Sequence, residues 1–125
     1  MARPEAAHRV KSYSAVTGYV YQHYFYEVQK ISGEIGSHAS SGTQYVFMVS
    51  KDRKQMFPLK VFIREDAVNR GFERAGQELT GTEQYAVAKM RLFQAFDEVE
   101  ELDSHTPDLV VDDSNISDLL SRLDL

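Results

Sequence analysis

Four histidines, a row of carboxylates and one aromatic stretch are the side chains of this sequence with the means for chemistry or recognition. His8, His23, His38 and His105 stand far apart, in four different local settings. A metal centre needs two or more ligands presented by rigid elements, and this spacing offers no such set. His23 falls within the aromatic stretch, where a hydrogen-bonded structural role is the plain expectation. His38 sits among serines; it has the reach of a general base but nothing to fix it in place. The carboxylates Asp97, Glu98, Glu100, Glu101 and Asp103 crowd the end of a predicted helix. Glycosidase-type catalysis needs two carboxylates converging across a cleft, one of them buried enough to keep its proton. These five lie on an exposed face and stay ionised. At a helix C-terminus they oppose the macrodipole, at a cost of up to about 1 kcal/mol each before salt screening. That penalty calls for a basic neighbour, and Lys51, Arg53, Lys54, Lys60 and Arg64 are the candidate anion-binding residues, whether for this acidic segment or for another chain.

The sequence has no nucleophile elbow, phosphate loop, His-Glu-x-x-His motif or calcium loop, and Gly33, Gly36 and Gly42 do not fit a dinucleotide fingerprint. No catalytic residue, metal or cofactor is therefore expected, and the balance is against an enzyme. The aromatic stretch is the unusual feature: Tyr19, Tyr21, Tyr24, Phe25 and Tyr26 occupy five of eight positions. In a two-layer domain one sheet face packs on helices and the other meets solvent, so alternation turns some of these rings outward, together with Phe62. Tyr19, Tyr21, Tyr24, Tyr26 and Phe62 are the candidate interface residues, because tyrosine and phenylalanine are enriched at interface cores.

The elements that carry these residues read as strands first and helices second. Tyr19–Ile31 is rich in aromatic and β-branched residues, which suit a pleated surface. Gln44–Ser50 is the next strand, and Met56–Ile63 shows the clearest period of two, with Phe57, Leu59, Val61 and Ile63 facing the core. Arg9–Tyr13 offers a short fourth strand, turning at Val16-Thr17-Gly18. The segment 32–43, with three glycines and four serines, reads as a loop. A first helix starts near Asp66, with Val68, Phe72, Ala75 and Leu79 at helical spacing, weakened by Gly71 and Gly76. Thr80-Gly81-Thr82-Glu83 is a capping box opening a second helix that should reach about Leu102, with Tyr85, Ala88, Leu92, Phe96 and Val99 on one stripe. Asp103–Asp108 stops it. Ile116, Leu119, Leu120 and Leu123 then share the face of a short amphipathic helix, capped by Ser114 or Asn115.

The expectation is an α+β fold: an antiparallel meander of three or four strands, two helices packed on one sheet face, and an acidic C-terminal tail. Residues 1–103 form the single domain and 104–125 the tail. The 125 residues suffice for one core, the absence of cysteine excludes a disulfide framework, and no apolar run spans a bilayer. The first nine residues lack the apolar block of a secretory signal, so a cytoplasmic location is expected. The net charge of −5 is unevenly divided: residues 1–91 hold 13 basic and 9 acidic side chains, residues 92–125 one and ten. Such a split points to partners.

Three functions fit. The first is a non-catalytic protein–protein interaction module, homodimeric through the aromatic sheet face, whose acidic segment docks on a basic protein surface through Ile116, Leu119, Leu120 and Leu123. A second is a weak single-stranded nucleic-acid binder gated by the tail, against which the acidic overall balance argues. The third is a small-molecule binder or enzyme with a pocket under the 32–43 loop, using His38 or His23 with a tyrosine. No membrane partner is expected.

Overall fold

A computed structural model of the chain describes residues 9–31, 41–69, 80–99 and 101–123. Most of the predicted loop over 32–43, His8, His38 and most of the predicted first helix lie outside the described residues; residues 42 and 43 of that loop are instead extended, and residues 65–69 are helical. Strands β1 (Lys11–Ser14), β2 (Val20–Ile31), β3 (Gly42–Lys51) and β4 (Phe57–Arg64) are followed by helix α1 (Gly81–Glu98), a short helix α2 (Leu102–His105), strand β5 (Leu109–Val111) and helix α3 (Ile116–Arg122). They form one curled five-stranded sheet in the order β1-β2-β3-β4-β5, antiparallel except where β5 pairs parallel to β4. The fold is thus α+β with a mainly antiparallel sheet, and its five described strands exceed the three or four expected from the sequence. No helix among the described residues is long and apolar enough to cross a membrane.

Alternation decides which face each strand buries. In β4, Phe57, Leu59, Val61 and Ile63 are buried and Pro58 and Lys60 exposed, the pattern of a strand with one solvated face. Cross-strand register carries that face to Tyr45, Phe47 and Val49 of β3, then to His23 and Phe25 of β2. At the start of β3 the backbones crowd: a Cβ on Gly42 would collide with the Ile63 carbonyl and the Phe62 ring. Helix α1 lies across the inner face with Val87, Ala88, Leu92, Ala95 and Phe96 buried. It opens on the expected capping box, in which the Thr80 hydroxyl accepts from Glu83 N–H at 3.1 Å and Glu83 Oε1 accepts from Thr80 N–H at 2.9 Å.

Two rings of the sheet stack on two rings of this helix. Tyr13 and Tyr21 are cross-strand partners on β1 and β2. Tyr21 stacks on Phe96, centroids 4.3 Å apart and planes 4° apart, and Tyr13 stacks on Phe93 at 4.5 Å and 10°. Phe93 and Phe96 lie three residues apart on the helix and so share a face. The Asp97 carboxylate accepts from the Tyr13 hydroxyl at 2.7 Å and from Val16 N–H at 2.9 Å, fastening the β1–β2 turn to the helix. Gly18 closes that turn at φ +98°, a conformation that suits glycine.

Two features depart from the expectation. First, α1 ends at Glu98 rather than near Leu102; Val99 is extended, and the chain re-enters as α2, burying Leu102. The acidic run at this helix end opposes its dipole and favours the break. Second, the segment expected to be a tail is built into the body. Leu109 and Val111 of β5 and Ile116, Leu119 and Leu120 of α3 belong to the same core as β4 and α1, and Leu123 packs against it. Asn115 does not cap α3 with its side chain. Its amide instead accepts from Asp112 N–H at 2.9 Å and donates to the Val110 carbonyl at 3.0 Å, holding the turn after β5. Arg91 Nε of α1 donates to the same carbonyl at 3.2 Å.

Leu120→Ala should therefore destabilise the whole fold by roughly 2–5 kcal/mol, read as a lower urea midpoint with an unchanged slope. An unaltered midpoint would place α3 outside the cooperative unit.

Candidate interaction surface

The residues singled out in the sequence separate onto different parts of the fold. Of the five candidate interface residues, Tyr21 is in the core and Tyr19 packs against it, because the register points Tyr21, His23 and Phe25 at α1. Neither is part of an outer aromatic face. Tyr24 and Phe62 do lie on the outer face, in separate rows: Tyr24 with Met48 and Pro58, Phe62 with Gln44 and Gln29. Between these rows runs Glu27–Val46–Lys60, with Val46 only 6% exposed. Beside Phe62, Ile31, Lys60, Leu109 and Val110 line a shallow, mainly apolar cavity of about 260 Å³.

Tyr26 occupies a bulge. Phe25 pairs with Phe47 and Glu27 with Val46, so Tyr26 is the extra residue. A bulge resets the alternation of the strand after it. Glu27, Gln29 and Ile31 consequently fall on the outer face, and Val28 and Lys30 on the inner one. Strand β2 also outruns its neighbour: β1 covers it from Val20 to His23 only. Among the described residues no strand pairs with the outer edge of Glu27–Ile31. Here Val28 is 50% exposed and Tyr26, beside it, 52%. An exposed edge presents backbone N–H and C=O groups to any strand that can align with it. Val28 escaped the reading from sequence because nothing local reveals how many residues of a neighbouring strand will pair; the length of β2 against the short Lys11–Ser14 pattern was the available signal.

The five candidate anion-binding residues do not converge. Lys51 pairs with Asp103 at 3.7 Å, and its ammonium lies 3.8 Å from the centroid of the Tyr19 ring, so the acidic segment beyond α1 meets the basic hairpin here. Arg64 pairs with Asp66 at 3.2 Å, Lys60 is exposed on the outer face, and Arg53 and Lys54 sit in the turn after β3. Asp52 and Arg53 both adopt positive φ. The turn is held by Asp52 Oδ1, which accepts from Val20 N–H at 2.9 Å, and by the Gln22 amide oxygen, which accepts from Arg53 N–H at 3.1 Å and from the Ser50 hydroxyl at 3.0 Å. The four tail residues have their apolar face in the chain's own core, as described above.

The pocket expected under the 32–43 loop has a counterpart at the loop's two ends. A cavity of about 350 Å³ is lined by Lys30, Ile31, Ser41, Thr43, Glu65 and Gln84 among others, and His23 is not part of it. His23 is instead 3% exposed on the inner face, with ring centroids 5.4 Å from Phe93 and 5.8 Å from Phe96. Burial, followed by the positive charges of Lys89 and Lys11, pushes its pKa down to about 4. Neither lysine was singled out in the sequence. Lys89 stands one turn from both Tyr85 and Phe93, and a charge set among aromatics on a helix stripe was the available signal. No group of three or more His, Asp or Glu among the described residues could hold a metal ion.

The chain matches no protein-family model, no curated protein and no solved structure, so its function must be argued from these residues.

His23 makes the fold sensitive to acid. An imidazole near 4 in the folded chain and near 6.5 in the unfolded one lets the unfolded chain take up its proton first as pH falls. The stability it contributes is complete above pH 6.5 and is lost down to pH 4, about 3 kcal/mol at most. Urea unfolding of the wild type and His23→Phe should give a shallower pH slope for the variant in this window, since the carboxylates common to both cancel. Equal slopes would assign the acid sensitivity to other groups.

Proposed function

We propose that the chain is a non-catalytic, cytoplasmic protein–protein interaction module that forms a homodimer through the edge of β2 that no described strand covers, rather than through a continuous aromatic face. The observation that carries this reading is the Glu27–Ile31 edge, bordered by the exposed side chain of Val28. Antiparallel self-pairing about a two-fold axis at Val28 sets Val28 against Val28 of the second copy and Glu27 against Gln29 of the second copy. Both pairs obey the rule that directly opposed residues share a face, and neither opposes like charges. The Tyr24 and Phe62 rows flank this edge on the outer side and supply apolar area for a sheet continued across two copies. Main-chain hydrogen bonds then provide affinity and the side chains the register. Isologous pairing of this kind is the commonest route to a closed pair.

Light scattering coupled to size exclusion tests it. Wild type at tens of micromolar should have the mass of a dimer. Val28→Lys, which sets two ammonium groups against each other across the axis, should have the mass of a monomer. Its own unfolding free energy should stay within about 0.5 kcal/mol of a dilute wild-type sample, as expected for a surface substitution. A monomeric wild type, or a variant that remains dimeric, would overturn the proposal.

A further inference from the structure

Positive charge gathers at one place on the inner face, where no ion pair among the described residues meets it. Lys11 of β1 stands directly across from His23 of β2. Lys89 of α1 reaches the same place, its ammonium 5.7 Å from the centroid of Tyr85 and 5.8 Å from that of Phe93. Lys11 lies close enough to Lys89 that its charge, after burial, lowers the pKa of Lys89, and both charges add to the depression of His23. None of the ion pairs among the described residues includes either lysine. The nearest acid on the helix stripe, Asp97, two turns beyond Lys89, is engaged by the Tyr13 hydroxyl and Val16 N–H. Among the described residues facing the pair, His23 stays neutral at physiological pH and burial raises the pKa of Tyr85, so neither supplies a negative charge.

Two neighbouring like charges repel, and the half-buried position of Lys89 screens them less than bulk water does. The arrangement improves when an anion enters between them. We propose that Lys11 and Lys89 bind an oxyanion, a carboxylate or phosphate group of a small molecule, at the rim of the aromatic layer formed by Tyr85 and Phe93. Lysine ammonium groups are compact charges with three rotatable donors each, so they accept either oxyanion, while the rings give the rest of the molecule an apolar wall. The aromatic flank separates this place from the exposed lysines of the outer face, where an anion meets only solvent-screened charge.

Thermal unfolding of the full chain tests it, with sodium phosphate, sodium acetate and sodium chloride compared at matched ionic strength. Phosphate, acetate or both at millimolar concentration should raise the melting temperature of the wild type by a few degrees above the chloride control, because an anion that binds only the folded chain stabilises it by mass action. Which of the two does so identifies the preferred oxyanion. Lys11→Met and Lys89→Met should each abolish the increment, and Lys60→Met, on the outer face, should keep it. Lys11 is exposed, so Lys11→Met carries the test even where Lys89→Met fails to fold. In parallel, the His23 ring resonances should shift with the same anion dependence in the wild type. An increment no larger than that of chloride, or one that survives in Lys11→Met, would overturn the proposal.

Discussion

Two stacked ring pairs, Tyr13 on Phe93 and Tyr21 on Phe96, fix how the sheet meets its main helix. Each such pair contributes roughly 0.5–1.5 kcal/mol beyond the area it buries, and their larger effect is on register. A strand has a side-chain period of two, so a slip of one residue exchanges its faces. Slipping β2 by one would turn Tyr21, His23 and Phe25 outward and press Gln22 and Tyr24 against α1. The wrong register therefore loses the Tyr21 stack and takes the Gln22 amide away from the Ser50 hydroxyl and Arg53 N–H that it satisfies. Asp97 strengthens the choice, since its carboxylate reaches both the Tyr13 hydroxyl and the β1–β2 turn only when these rings are in place.

The same register has a second consequence. By aiming Tyr13 and Tyr21 at the helix it also aims Lys11 and His23 there, because all four share one face of two paired strands. The aromatic layer thus acquires a charged rim. His23 accommodates this by staying neutral, and Lys89 by resting over two rings while its aliphatic stem covers apolar surface. Two lysines set on the same side of one aromatic layer are a local conflict inside an otherwise consistent fold. Such conflicts concentrate where a protein meets something else.

Much of this arrangement was legible in the sequence, and the missing parts share a cause. The β4 alternation, the Thr80–Glu83 capping box and the aromatic β2 are local patterns, and each appears as an element in the structure. What the local pattern could not supply was which neighbour an element would meet. The face of Tyr21 depends on the position of α1, and the side of Glu27 depends on a bulge that a continuous run of strand-forming residues conceals. The apolar residues of α3 read equally well as a docking stripe or as core; only the parallel pairing of β5 with β4, made across more than forty residues of chain, decides that they close the body. Lys89 was overlooked because a lysine beside a helix stripe is usually a solvated residue, and its proximity to Lys11 comes from tertiary packing.

The edge of β2 shows how one strand can be open to pairing without inviting fibres. An exposed flat edge is a template for indefinite association, which proteins limit with charges and bulges. Here Glu27 and Lys30 bracket Val28, and the Tyr26 bulge interrupts the strand just before them. The bulge confines regular pairing to the few residues that follow it, and β1 occupies the beginning of the strand. At the far side of the sheet the outer strand is β5, only three residues long, too short to template another chain. The bulge and the flanking charges therefore guard this stretch of sheet against indefinite association and, in the proposed assembly, would confine its pairing to one short antiparallel contact.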